Sequence, residues 1–314
     1  MRCVVTGAAG FIGSHLCEAL LKAGHEVAGV DSFVPYYPRS RKEANLAAIL
    51  REAKFSFFGV DLADADLAGA LAGAEVVFHL AAMPGLKQSW TNFDGYERCN
   101  VMATQRLLEA VRHRAPGLRR FILGSTSSVY GRFASGDETL PLSPISPYGA
   151  TKIAAEFLCR SYADAYNLPL VTLRYFSVYG PRQRPDMGYY HFIRAMLKDE
   201  PIVVTGDGHQ TRSNTYIADC VAATMAVVDA PIGEVYNVGG GESATVWDIL
   251  SRLERLAGHP PRVSQEPARP GDQRHTFADT RKLRSHLGWQ PRTSLDAGLA
   301  RQWEWQLGLT DSSV

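Results

Sequence analysis

The chain has 314 residues and a formal net charge of +1, enough material for one large core or two modest ones. A near-neutral balance argues against nucleic acid as a partner, and no apolar stretch is long enough to cross a bilayer, so no membrane role is expected. The five cysteines (Cys3, Cys17, Cys99, Cys159, Cys220) are scattered without a CxxC pair and the nine histidines never fall at metal-ligand spacing, which points to buried thiols in a reducing cytoplasm and to no bound metal.

The chain opens on "MRCVVTGAAG", a short apolar strand running into glycines, which is not the pattern of a secretory leader. Further short apolar runs follow: "HEVAGVD", "KFSFFGVD", "AEVVFHLAA", "RRFILGST" and "LPLVTLRYF". Each is too short for a helix and rich in Val, Phe, Ile and Leu, so each is predicted as a strand. Amphipathic stretches lie between them. "SHLCEALLKAG" is one, with Gly24 placed as its helix stop. This alternation predicts an α/β fold, a Rossmann-type doubly wound parallel sheet with helices on both faces. After about residue 176 Pro, Gly and polar turns become denser, as in "GPRQRPDMG" and "EPARPGDQR". Residues 1–176 are therefore expected to form a nucleotide-binding domain, and residues 177–314 a smaller mixed α/β substrate-binding lobe.

Between the first strand and the first helix lie Gly7, Gly10, Phe11, Ile12 and Gly13. Glycines at such a turn let the backbone approach a pyrophosphate whose charge sits at the helix N-terminus. Asp31 ends the second strand, where a carboxylate accepts hydrogen bonds from the adenosine ribose and repels a 2′-phosphate, favouring NAD over NADP. Arg39 and Arg41 nearby argue the other way. Asp61 and Leu62, at the third strand's tip, suit the adenine. Leu80, Ala81 and Ala82 end the fourth strand where small residues would line the cofactor, and His79 reads as a satisfied core histidine.

The glycine spacing is GxxGxxG. With it, the sequence resembles the extended short-chain dehydrogenase/reductase family and, within that family, the nucleotide-sugar epimerases; the resemblance runs on to "LGWQPRTSLDAGLARQWEW" near the C-terminus. It implies Asn100 and Tyr175 as further cofactor contacts. "SPYGATK" supplies Tyr148 and Lys152, four apart and so on one helix face. The pair is weak by itself, but it opens a helix just after the strand end "GSTSSVYG", where the family keeps its catalytic pair. The resemblance makes Tyr148 the general base on a sugar hydroxyl, its pKa lowered by the neighbouring ammonium and the oxidised nicotinamide. Lys152 also takes the nicotinamide ribose, and Thr126 bonds the reacting oxygen.

Related dehydratases and decarboxylases usually carry acidic residues within this strand-end motif. Here Ser127 and Ser128 stand there, and hydroxyls are neither acids nor bases near neutral pH. The expected chemistry is therefore oxidation and re-reduction without elimination, an epimerisation. "GDGHQTRSNTYIADC" resembles the family's diphosphate loop, with Arg212 on the phosphates, and "RPGD" supplies Arg269 for phosphate and Asp272 for ribose. "DSFVPYYPRSRKEANL" and "RYFSVYGPRQRPDM" resemble the UDP-glucuronate 4-epimerases, with Ser177 where galactose-type epimerases usually have Asn. Arg184 is assigned to the sugar's carboxylate, against the alternative that Arg182 and Arg184 form a solvated turn; Lys87 is a second candidate for phosphate or carboxylate. With Thr126 on the C4 oxygen, Ser127, Ser128 and Ser177 would restrain the carboxylate of a 4-keto uronate, a β-keto acid prone to lose carbon dioxide; plain capping of the strand end is the alternative. A neutral-sugar (UDP-glucose or UDP-N-acetylglucosamine) 4-epimerase and a non-catalytic NAD-binding protein are the competing readings. The stretches 93–113 and 147–166 resemble the family's dimer-forming helices, implying a homodimer.

Overall fold

The computed structural model describes residues 1–268 and 273–309, and every count below refers to these. Seven parallel strands form the central sheet, in spatial order Val235–Val238, Leu170–Tyr175, Arg120–Thr126, Val76–His79, Arg2–Thr6, Glu26–Val30 and Phe55–Phe58. The six strands expected from apolar runs are all present. Val76–His79 and Leu170–Tyr175 are buried along their whole length, as parallel strands covered on both faces must be. Successive side chains feed opposite layers: Cys3 and Val5 join one core with the helices Phe11–Lys22 and Ile217–Ala226, whereas Val4 joins the other with Ala103–Arg114 and Pro147–Tyr166. Gly24, in the left-handed region at φ +84°, stops the first helix as expected.

The sheet order reverses between Arg2–Thr6 and Val76–His79, which neighbour each other although other strands separate them in sequence. At such a switch point the loops after the two strands diverge and leave a crevice at the strands' carboxyl ends.

The chain does not divide at residue 176 into two contiguous units, and the expected boundary is corrected on this point. Val235–Val238 returns to pair with Leu170–Tyr175, while Phe133–Gly136, well before 176, pairs with His275–Ala278 in a second sheet. That second sheet also contains Thr211–Tyr216, Ser243–Thr245 and Ser177–Tyr179. A two-stranded ladder, Ile202–Thr205 with Val263–Glu266, lies apart from both.

A buried polar network joins the layers. Arg174 and Glu156 form an ion pair at 2.7 Å with both side chains nearly inaccessible. The Ser125 hydroxyl donates to Glu156, Arg174 donates to the Tyr130 hydroxyl at 2.9 Å, and Tyr130 donates to Asn237 Oδ1 at 2.7 Å. Asn237 Nδ2 donates in turn to the Gly136 carbonyl at 3.2 Å. Four strands, three at the large sheet's edge and one of the second sheet, are thereby tied to helix Pro147–Tyr166 and the turn Ser127–Tyr130. Removing one member of such a pair strands a buried charge. Arg174→Met should cost about 3–5 kcal/mol of stability, read as a lower urea midpoint, and adding Glu156→Gln should recover part of it. A loss below about 1 kcal/mol would match an exposed pair instead and remove the network from the fold's determinants.

Candidate active site

The glycine turn sits at the switch point. Gly7 has φ +72°, and a Cβ there would lie 2.8 Å from the Ala81 nitrogen; a Cβ at Gly13 would lie 2.0 Å from the Gly7 carbonyl oxygen. Only glycine permits this approach of strand, turn and helix. Helix Phe11–Lys22 begins after Gly10 with no side-chain cap and no acidic residue in its first turn, so its leading N–H groups and positive dipole end face the crevice without an internal partner. That is the cradle a dinucleotide's pyrophosphate requires.

Asp31 lies at the end of the neighbouring strand, its Oδ2 accepting from Ala9 N at 3.1 Å and its Oδ1 from Phe33 N at 2.8 Å. The two arginines that could have opposed it are committed elsewhere. Arg39 pairs with Glu43 at 2.7 Å, and Arg41 donates to the Tyr190 hydroxyl at 2.5 Å. The cation that does feel Asp31 is Lys42, which donates to the Val34 carbonyl at 2.9 Å and whose pKa burial lowers while Asp31 raises it. Asp61 accepts from Ala63 N at 2.9 Å and from Arg98 at 3.0 Å, beside the buried Leu62.

Beneath Leu80, Ala81 and Ala82 runs a buried chain of hydrogen bonds. Ala81 N donates to Thr6 Oγ1 at 3.1 Å, and Thr6 Oγ1 meets His79 Nδ1 at 2.8 Å. His79 Nε2 meets Thr104 Oγ1 at 2.9 Å, while Thr104 spends its own hydrogen on the Asn100 carbonyl at 2.7 Å. Nε2 therefore carries the proton and Nδ1 accepts. Burial, then Lys152, push the His79 pKa down to about 3, so the ring is neutral. His79 is the satisfied core histidine expected.

Asn100 lies in a π-helical turn, Glu97–Met102, and its amide is used by the chain: Oδ1 accepts from Met83 N at 2.7 Å, while Nδ2 donates to Met83 O at 3.1 Å and Thr151 Oγ1 at 3.0 Å. Both amide hydrogens are thus spent within the chain, and one lone pair of Oδ1 is left to accept. Tyr175 shares a hydrogen bond with Thr224 at 2.9 Å through its hydroxyl, and its ring edge packs toward Gly124.

Helix Pro147–Tyr166 is capped by Ser146, whose hydroxyl accepts from Gly149 N, with Pro147 in its first turn. This fixes Tyr148 and Lys152 over the end of Arg120–Thr126. Lys152 donates to the Gly124 carbonyl at 2.7 Å, and burial lowers its pKa to about 8 against the opposing pull of Glu156. The Tyr148 ring packs edge-on against Tyr96, with 6.1 Å between ring centroids. Burial is the largest influence on Tyr148 and raises its pKa; Thr126 and the Arg184 charge lower it, and Asp186 raises it. In the chain alone Lys152 is turned to Gly124, the cation acting on the phenol is Arg184, and the net shift is upward.

The strand-end hydroxyls divide their work. Thr126 Oγ1 accepts from Ser128 N at 3.2 Å and donates to Ser128 Oγ at 3.3 Å, capping the turn that follows the strand. The hydroxyls of Ser127 and Ser177 make no hydrogen bond among the described residues. Ser177 opens its strand just beyond Tyr175, the register partner of Thr126. Gln273 donates to the Gly131 carbonyl at 2.6 Å and the Ser127 carbonyl at 3.4 Å, tying the second lobe to this turn.

Arg182 and Arg184 are not a solvated turn. Arg182, in the left-handed region at φ +64°, donates to Glu18 at 2.5 Å and Ser14 Oγ at 3.3 Å on the first helix. Arg184 grips Asp186 through Nε at 2.9 Å and Nη2 at 3.0 Å, and Tyr36 donates to Asp186 Oδ2 at 3.2 Å. Lys87 is exposed. Arg212 donates to the carbonyls of Thr211 at 2.9 Å and Arg274 at 3.3 Å; Arg269 and Asp272 lie outside the described residues. Sequence reasoning missed Asp186, Tyr36, Lys42, Gln273 and the Glu156–Arg174 pair. Tyr36 and Asp186 stood within stretches already singled out, but only their convergence on Arg184 gives them meaning.

Among the described residues no helix is long and apolar enough to span a membrane, and no three His, Cys, Asp or Glu side chains cluster to hold a metal. Residues 3–239 match the NAD dependent epimerase/dehydratase family. The uncharacterized UDP-glucose epimerase YtcB of Bacillus subtilis is 45% identical over 307 residues, covering 96% of each chain. The UDP-glucuronate 4-epimerase of Thermodesulfobacterium geofontis is 36% identical over 309 residues, covering 96% of this chain and 95% of the relative. The crystal structure of UDP-glucuronic acid 4-epimerase from Bacillus cereus, in complex with UDP-glucuronic acid and NAD, superposes with a TM-score of 0.95 at 44% identity, covering 98% of this chain and all of that one. With the glycine cradle at the switch point and Tyr148 and Lys152 over the strand end, the chain belongs to the NAD-dependent epimerase/dehydratase family.

Proposed function

We propose that the protein is an NAD-dependent epimerase that inverts C4 of UDP-glucuronate to give UDP-galacturonate, through a 4-keto intermediate that turns over in the site and is reduced again without decarboxylation. The observation that carries this reading is the strand end itself. Helix Pro147–Tyr166 carries Tyr148 and Lys152 over the strand end, with Lys152 bonded to the Gly124 carbonyl, and the row Thr126, Ser127, Ser128 contains no carboxylate.

The residues present fit NAD: the glycine cradle admits no Cβ at Gly7 or Gly13, and Asp31 stands at the adjoining strand end. Bound there, NAD supplies reversible oxidation and reduction at the sugar's C4. Tyr148 takes the C4 hydroxyl proton and later returns it, which is general acid–base catalysis by a group held in place. Thr126 holds Tyr148 and the reacting oxygen. Lys152, fixed by the Gly124 carbonyl, holds the nicotinamide ribose. Ser127 and Ser177, whose hydroxyls have no partner among the described residues, hold the uronate carboxylate with Ser128 and Arg184, away from the alignment that releases carbon dioxide. Arg212 is assigned to the diphosphate, and by resemblance Arg269 and Asp272 complete the nucleotide site. Lys87, exposed at the loop after Ala82, is the second candidate for phosphate.

A neutral-sugar reading is favoured by two observations: the relative named as a UDP-glucose epimerase, and the carboxylate of Asp186 already on Arg184. We also propose a homodimer. Phe93, Met102 and Phe157 are exposed apolar side chains on or beside the stretches 93–113 and 147–166, the face a second copy would cover. Five free cysteines, four of them buried, fit a reducing, cytoplasmic setting.

Incubation with UDP-glucuronate, UDP-glucose and UDP-N-acetylglucosamine separately, with products resolved by NMR, tests the substrate. UDP-glucuronate alone should be interconverted efficiently, and Tyr148→Phe should retain NAD but lose turnover by about 10²–10⁴-fold. Preference for a neutral sugar, or near-wild-type turnover in Tyr148→Phe, would contradict the reading. The cofactor preference has its own test. Asp31→Ala should cut the NAD-over-NADP preference by about tenfold or more, roughly one to two lost charged hydrogen bonds, because Lys42 is then free to meet the 2′-phosphate. Titration of both cofactors should show the gain for NADP disappearing in Asp31→Ala/Lys42→Ala; an unchanged ratio in the single variant would displace Asp31 from the ribose.

A further inference from the structure

We infer that Asp186 sets how strongly Arg184 grips the substrate's carboxylate, and is thereby the residue that lets a uronic acid be both bound and turned over in this site. The inference rests on the uronate reading above.

Arg184 presents five N–H donors in a rigid fork. Asp186 takes one bidentate edge, Nε and Nη2, and the Nη1 edge makes no hydrogen bond among the described residues. The two residues are neighbours but one in the chain, so the pair forms wherever this turn forms. Asp186 is also fixed from outside. Tyr36, on the loop after Asp31, donates to its Oδ2 at 3.2 Å. Gly85, at φ +87°, leaves room for both: a Cβ there would lie 2.1 Å from the Tyr36 hydroxyl oxygen and 3.5 Å from Asp186 Oδ2. Both side chains of the pair are only about a fifth to a quarter exposed, at 20% and 28%, so their charges are weakly screened. Tyr96 donates to the Gly85 carbonyl at 2.9 Å and packs edge-on against Tyr148 with 6.1 Å between ring centroids, so a short chain of contacts leads from the pair to the reacting phenol, on which the two charges act in opposite senses.

Epimerisation at C4 requires the oxidised ring to present its other face to the cofactor, and the carboxylate on C5 has to change its contacts when it does. A lone, half-buried guanidinium would hold one orientation by charge-assisted, bidentate bonding and slow that turn. Asp186 uses one edge of the fork and cancels its charge, leaving the other edge aimed but loosely held. A neutral hexose, with a hydroxymethyl group in place of the carboxylate, would not feel the difference.

Asp186→Asn keeps the size and one acceptor for Arg184 but removes the charge. In NAD-loaded protein carrying Tyr148→Phe, which separates binding from turnover, calorimetry should show the Kd for UDP-glucuronate about tenfold lower on adding Asp186→Asn. The Kd for UDP-glucose should stay within about twofold. With Tyr148 intact, Asp186→Asn should lower kcat and KM for UDP-glucuronate together, and reduced nicotinamide should accumulate in the absorbance of the working enzyme. Asp186→Glu should restore wild-type constants, and Arg184→Ala should abolish the effect of Asp186→Asn. Unchanged or weaker binding of UDP-glucuronate, an unchanged kcat, or an equal change for UDP-glucose would overturn the role of Asp186 while leaving the uronate reading in place. A wild-type enzyme that turns over UDP-glucose but not UDP-glucuronate would overturn both.

Discussion

The rest of the molecule is arranged around one close approach of backbone to backbone. Gly7 lies against the Ala81 nitrogen, and Gly13 lies against the Gly7 carbonyl, at distances that exclude any Cβ. This brings the ends of two adjacent strands and the start of the first helix to one point at the sheet's switch. The helix then begins uncapped and facing the crevice. Everything polar that follows takes its position from there: Asp31 bonds Ala9 within the same turn, and Thr6 passes from Ala81 to His79 and on to Thr104. Burying the neutral His79 is tolerable because both ring nitrogens have partners.

A second constraint holds the chemistry over that crevice. Lys152 is tied to the Gly124 carbonyl at the same strand end whose next residues are Ser125 and Thr126. Ser125 leads away from the site into the Glu156–Arg174 pair, while Thr126 leads toward Tyr148. One strand end thus supplies the structural network on one side and the reactive phenol on the other. Arg184 and Asp186 are the charged groups acting on Tyr148, and they act in opposite senses. Hydroxyl groups fill the rest of the row. A site built this way holds and orients, and moves a proton through one residue.

Much of the fold was legible because parallel strands buried on both faces leave unbroken apolar runs, and six of the seven central strands carry one. The seventh, Val235–Val238, does not, since Asn237 interrupts it. That side chain belongs in a core only because Tyr130 and Gly136, each about a hundred residues away, supply its partners, while Glu138 accepts from its backbone N–H. The single boundary at 176 failed for a similar reason, as the chain crosses between sheets at Phe133–Gly136 and again at Val235–Val238. In the site, Tyr148, Lys152 and the glycines stand out at short spacing. Asp186, Tyr36 and Lys42 do not, because an acid, a phenol and a lysine on a loop acquire a role only from the partner they face. Asn100 shows that a residue suggested by its place in the chain is also anchored by three internal bonds that no spacing reveals.

The central claim is that C4 is oxidised and reduced again while C5 keeps its hydrogen and its carboxylate, because the strand end offers hydroxyls and no further acid or base. Turning over UDP-glucuronate deuterated at C4, in ordinary water, and locating the label by NMR tests it most directly. The account predicts UDP-galacturonate with the deuterium still at C4, and, in a parallel run in heavy water, no deuterium gained at C5. Loss of label from C4, or entry of solvent deuterium at C5, would contradict it.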